Sequence, residues 1–138
     1  MILYKDHIIE LDYQPAQDLL VTCQPSIRPY DAREVRSAFI SIITFVKEYN
    51  ITRLLLDFTR NTQDLSETEY KTNMAQLTVG LLQTSLQKVA RLTTSDAIRE
   101  QKIASMLVNI NEALPLPVEV QMFSSKADAV RWLLHKEG

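Results

Sequence analysis

Glycine is almost missing from this chain: Gly80 and Gly138 are the only two in 138 residues. A G-x-G-x-x-G dinucleotide fingerprint and a G-x-x-x-x-G-K phosphate loop both need several glycines to bring backbone against phosphate, so neither is present, and the G-x-S-x-G nucleophile elbow is missing as well. Cysteine is limited to Cys23. It cannot form an internal disulfide, and a small domain without a cysteine framework fits a reducing compartment, so a cytoplasmic location is expected. H-E-x-x-H and C-x-x-C are both lacking, and the two histidines, His7 and His135, stand at opposite ends. No metal site is expected, and both histidines read as surface polar residues. Neither sign of charge dominates: the net charge is −2, the pI is about 5.7 and the basic residues are scattered. That leaves no electrostatic footprint for nucleic acid. Long apolar runs are lacking too, because the densest, "AFISIITFV", is half the roughly 18 residues of a membrane span; no membrane insertion is expected. The opening "MILYKDHIIELDY" has early charges and no sustained apolar stretch, unlike a signal peptide. No cofactor motif remains, and no cofactor is expected.

What is present is ordinary globular composition. The chain is 46% hydrophobic and 23% charged, close to the average for folded domains, and its length suits one domain spanning residues 1–138. "HIIELDY" and "QDLLVTCQP" are two β-prone runs that read as an antiparallel hairpin. From Asp31, Val35, Ala38, Phe39, Ile42, Phe45, Val46 and Tyr49 recur at helical spacing, with Asp31 and Glu34 forming a capping box and Asn50 a stop. "TRLLLDF" is a strand buried on both faces. Ser66 with Glu69 is a second capping box, Leu65 with Tyr70 has the spacing of a hydrophobic staple, and the helix they begin carries Tyr70, Met74, Leu77 and Leu81 inward and ends near Ser85. "LQKVARLTT" is a strand; a third helix to about Ala113 has Ile103, Met106, Leu107 and Ile110 on its stripe and is closed by "LPLP". "VEVQMF" is the last strand, and Ser125 with Asp128 caps a final helix whose Val130, Leu133 and Leu134 face the sheet. The expected fold is α/β, a mostly parallel sheet with an antiparallel N-terminal edge hairpin and helices on its faces, in the order ββαβαβαβα.

On such a sheet ligands bind at the carboxyl ends of the strands. Those ends carry Asp57, Phe58, Thr59, Arg60 and Thr62, then Thr93, Thr94 and Ser95, then Phe123 and Ser124. Asp57 could serve as a base or anchor and Arg60 could pair an anion; alternatively Asp57 accepts bonds from the turn after it and the hydroxyls cap helices. Cys23 shows no neighbouring base that would lower its pKa, and reads as a small packed residue. The second helix has another apolar stripe, Ala75, Val79 and Leu82, which either packs on a neighbouring helix or is exposed to a partner.

The order of elements, together with "LLLDFTRNTQDLSETE", "KVARLTTSDAIRE" and "VEVQMFSSKADAVRWLL", resembles the SpoIIAA-like branch of the STAS-domain family over essentially the whole chain. The resemblance implies a non-catalytic regulatory domain that acts through a protein partner or homodimer. Its founding members carry a phosphorylated serine in an Asp-Ser-Ser-Gly turn after the central strand. Here the turn reads Phe-Thr-Arg-Asn-Thr after Asp57, so Thr59 and Thr62 are the hydroxyls on which such a switch would fall. Other SpoIIAA-like proteins resemble CRAL-TRIO lipid carriers, which implies as the alternative a carrier of a lipophilic or anionic small molecule at the strand ends, with Phe58 and Phe123 as pocket wall. The leading expectation is protein contact through the turn from Asp57 to Thr62 and the start of the second helix. A small enzyme built on Asp57 is the third reading.

Overall fold

Side chains set the helix boundaries of this chain in the computed structural model, which describes residues 1–61, 66–113 and 118–135. Thr62, Leu65 and the segment 114–117 lie outside the described residues, as does the side chain of Ile110. Helix α1, Ala32–Tyr49, opens at Asp31, whose carboxylate accepts the Glu34 N–H at 2.8 Å while Glu34 accepts the Asp31 N–H at 3.2 Å. It closes at Asn50, which takes the left-handed conformation with φ 52°, a conformation asparagine tolerates better than most residues. Helix α2, Glu67–Leu81, opens on the Ser66–Glu69 box and stops earlier than its pattern suggests. Helix α3, Ala97–Ala113, begins at Asp96, which accepts the Arg99 N–H at 3.0 Å. Helix α4, Lys126–Leu134, starts at Ser125. Cations from the sheet meet its last carbonyls: Arg53 Nε donates to Leu133 O at 2.8 Å, and Lys88 Nζ to Trp132 O at 3.2 Å and His135 O at 3.1 Å.

The strands β1 (Ile2–Lys5), β2 (Glu10–Gln14), β3 (Leu19–Cys23), β4 (Arg53–Leu56), β5 (Lys88–Leu92) and β6 (Glu119–Phe123) form one six-stranded sheet in chain order. β1, β2 and β3 pair antiparallel, and β3 through β6 pair parallel. The N-terminal edge is therefore three antiparallel strands instead of a two-stranded hairpin, and the order is βββαβαβαβα. The reason lies in Asp6. Its Oδ1 accepts the N–H groups of Ile8 and Ile9 at 2.7 and 2.8 Å and turns the chain ahead of "HIIELDY", so that the preceding Ile2–Lys5 pairs back as a strand.

Strand alternation then sorts the side chains into two cores. Leu20, Leu54, Leu56 and Val89 point to one face, where they meet Val35, Phe39, Ile42 and Val46 of α1 and Met74, Leu77 and Leu81 of α2. Leu19, Val21, Leu55, Ala90 and Leu92 point to the other, where Ala129 and Leu133 of α4 cover them. Each fully buried leucine contributes roughly 1.5–3 kcal/mol. Strands laid side by side in chain order and joined by right-handed crossovers put every intervening helix on one face. Accordingly α1, α2 and the Leu107 side of α3 share a face, and among the described residues α4 alone serves the other. Over the antiparallel edge, α1 adds aromatic contacts: Tyr4 to Phe45 at 5.7 Å between centroids, Phe45 to Tyr49 at 6.2 Å, and Tyr13 to Tyr49 at 6.1 Å. Among the described residues, no helix is long and apolar enough to cross a membrane.

Candidate functional site

Packed beside α2, α3 leaves space beneath it. Ile103 is buried, but Met106 and Leu107 are only half-buried. The result is an outer cavity of about 410 Å³ at the carboxyl ends of β4 and β5, within the roughly 300–1,000 Å³ of ordinary small-molecule sites. Its apolar wall comes from Phe39 on α1, Leu56 and Phe58 at the end of β4, Met74 on α2 and Ile103 on α3. The rim is polar, with Ser66, Asn61, Asp96, Arg99 and Lys102. Phe39 and Phe58 meet edge to face at 5.4 Å, so α1 and the β4 end brace each other across the wall.

Polar groups around this cavity are tightly tied. Arg91, on the helix-bearing face of β5, is 9% exposed. It donates to Glu100 through Nη1 to Oε1 at 2.5 Å and Nη2 to Oε2 at 3.3 Å. Thr94 donates to the same Glu100 Oε2 from its backbone N–H at 3.1 Å and its hydroxyl at 2.8 Å. Burial pushes the Glu100 carboxyl up, but the bonds from Arg91 and Thr94 outweigh it and hold the group below the usual glutamate range. Burial opposes the charge on Arg91, and Glu100 and Tyr70 more than restore it. The Tyr70 phenol is raised, chiefly by burial. Asn61 is buried; its Oδ1 accepts the Tyr30 N–H at 3.1 Å and its backbone O accepts Arg99 Nη1 at 2.9 Å. The first turn of α3 is thus fastened to the sheet by Glu100 and to the β4 end by Arg99.

A second, inner cavity of about 410 Å³ lies further along the same face, toward the amino ends of the strands. Leu77 and Leu81 of α2, Leu107 and Val108 of α3, Val89 of β5 and Val120 of β6 are among its walls, and Leu56, Met74 and Arg91 belong to both cavities.

The strand-end residues distribute unevenly around this site. Phe58 lines the outer cavity. Asp57 does not: one residue earlier in the alternation, its Oδ1 accepts the Thr59 N–H at 3.1 Å and the Thr59 hydroxyl at 2.5 Å, closing the turn. Arg60 is exposed and donates to the carbonyls of Gln24 and Pro25 at 3.3 and 3.2 Å. Thr94 sits at the edge, bonded to Glu100. Phe123 lies on the opposite face, 5.6 Å from the Trp132 ring and packed with the α4 core, so it is no part of the cavity wall. Cys23 is half-buried with its thiol pushed up by burial and by the Glu10 carboxylate, and His7 and His135 are exposed. Among the described residues, no three His, Cys, Asp or Glu side chains gather as a metal site. The second stripe of α2 faces outward, with Val79 49% and Leu82 37% exposed and Ala75 half-buried. Arg91, Glu100, Arg99 and Lys102 were not singled out from the sequence. One signal was available, since the charged residue directly after the apolar pair in "KVARL" shares the parity of Val89, must face a core and therefore needs a partner. No protein-family model, no curated protein and no solved structure matches the chain.

Proposed function

We propose that this chain is a non-catalytic binding domain that holds a small amphipathic molecule in the outer cavity. The observation that carries this reading is the cavity itself: it opens at the carboxyl ends of parallel strands, with apolar walls and a polar rim. The absence of catalytic work is supported by how the lining groups are used, because Arg91 is paired with Glu100 and Asp96 caps α3. A STAS-like assignment remains the proposal for the fold, supported by the crossover helices on one face and the single helix on the other. Native mass spectrometry of gently purified protein tests the binding reading, compared with its denatured mass. The expected result is an adduct that leaves on denaturation and is diminished in Met106→Trp, which fills the outer cavity. A wild-type protein that carries no adduct and gains no thermal stability from a panel of apolar acids and alcohols refutes it.

Protein contact is a second reading, favoured by Val79 and Leu82, two exposed apolar side chains one helical turn apart on α2. In that reading the outer stripe of α2 is the contact surface. A pull-down or cross-linking signal that survives Val79→Asp with Leu82→Asp argues against it.

A further inference from the structure

The binding reading above says where a molecule sits, and the second cavity says how long it is. Resting on that reading, we infer that the two cavities are one site for a single unbranched acyl chain with a terminal anion. Its head lies at the rim by Lys102, and its chain passes Arg91 and Met74 into the inner cavity.

Three observations carry this. First, the two cavities share Leu56, Met74 and Arg91 as walls, so they adjoin at these three residues. Met74 is the adjustable one of the three, an unbranched thioether with several rotatable bonds. Second, the combined lining is elongated. On α2 it runs from Ser66 to Leu81, a rise of about 22 Å at 1.5 Å per residue. That shape suits a chain and not a compact ring system. Third, the polarity is graded along it. Among the described residues Arg91 is the only charged side chain lining the inner cavity, and it is already paired with Glu100. At the rim, Lys102 is exposed and makes no hydrogen bond or ion pair among the described residues. Arg99 stands beside it, and among the described residues Asp96 is the one acidic group lining the outer cavity. Val108, 58% exposed at the inner cavity, marks the side where the far end of a chain would rest.

Titration of the purified full chain with palmitate, with octanoate and with a palmitoyl lysophosphatidate tests the inference. Each buried methylene is worth about fourfold in affinity, so burying even three or four of palmitate's extra methylenes makes it bind at least about a hundredfold tighter than octanoate. Leu107→Trp, which fills the inner cavity, removes most of that advantage while leaving octanoate unchanged. Val108→Trp does the same from an exposed position that a larger ring can occupy without unfolding α3. Lys102→Glu weakens all three ligands. Tighter binding of the lysophosphatidate identifies a phosphate head, and tighter binding of palmitate a free acid; either supports the site. If palmitate and octanoate bind alike, or if palmitate is untouched by both tryptophan variants, the two-cavity site is overturned while the outer-cavity reading stands. If none of the three binds, both fall together.

Discussion

Replacing Glu100 with glutamine strands a buried guanidinium. Arg91 is 9% exposed and finds its counter-charge in Glu100, whose carboxylate also accepts two bonds from Thr94. Breaking a buried pair from one side costs about 3–5 kcal/mol, because the remaining charge stays desolvated. The glutamine carbonyl keeps part of the hydrogen bonding but none of the charge, so Glu100→Gln is expected to lose about 2–4 kcal/mol. Against a total stability of roughly 5–15 kcal/mol that is a visible shift in a urea denaturation midpoint. The double variant Arg91→Met with Glu100→Leu removes both charges and leaves apolar groups beside apolar cavity walls. It is expected to lie within about 1 kcal/mol of wild type, since apolar replacements of buried pairs are often neutral. The cycle closed with Arg91→Met and Glu100→Leu as its single variants, each leaving one charge stranded, therefore shows strong coupling. A single variant that costs under about 1 kcal/mol, or a double variant that costs the sum of its singles, would refute the claim that this pair fastens α3 to the sheet.

The same carboxylate predicts a pH dependence. Its folded pKa is depressed, so the unfolded chain takes up the proton first on acidification; the advantage of wild type over Glu100→Gln is fully present above the ordinary glutamate value of about 4.3 and fades as pH falls through the lower folded value. An equal gap at neutral and strongly acid pH, by denaturation, sinks it. A Cβ on Gly80 would overlap Ile43 Cδ1 and crowd Cγ1 at 2.9 Å, so Gly80→Ala is expected to destabilise by about 1–2 kcal/mol despite a helix-propensity gain near 1 kcal/mol. With Ile43→Ala present the same change turns stabilising; if it stays costly, the α1–α2 contact is not the cause. Val79→Asp and Leu82→Asp are exposed changes and are expected to cost about 0.5 kcal/mol or less each, with circular dichroism and denaturation unchanged; unfolding would mean the stripe is core. Phe123→Ala is expected to shift the emission of Trp132, the only tryptophan, without altering ligand affinity, and a loss of affinity would return Phe123 to the cavity wall.

Local chemistry made much of this fold legible. Asp31 with Glu34 and Ser66 with Glu69 announce two helix starts because a capping box is a four-residue event, complete in sequence before any packing occurs. The extra strand β1 was hidden because Asp6 looks like an interruption of polarity, while its work is to fold the chain back through two backbone N–H groups. At the strand ends the alternation was readable and undervalued. Leu56 and Phe58 share a parity and face the helices; Leu55 and Asp57 share the other. Applied to β6, that count separates Met122, which lines the inner cavity, from Phe123, which packs on α4. The bond from Arg91 to Glu100 bridges a strand and the helix after it, and its geometry depends on where α3 lands, which no local pattern encodes. The size of the space under α3 is of the same kind, a property of what the half-buried Met106 and Leu107 do not fill.

Strands laid down in chain order, with α4 returning to the far face, also imply an order of events in time. Each parallel strand meets a partner that the chain has already made, so contacts remain local and each loop closure is short, which favours rapid assembly. The exception is the core of Leu19, Val21, Leu55, Ala90 and Leu92, whose cover among the described residues is α4 alone. During synthesis that apolar surface stays bare until α4 leaves the ribosome and docks. A nascent chain of this protein is accordingly exposed on one side until α4 has been made, and chaperone capture or aggregation competes with the arrival of Ala129 and Leu133.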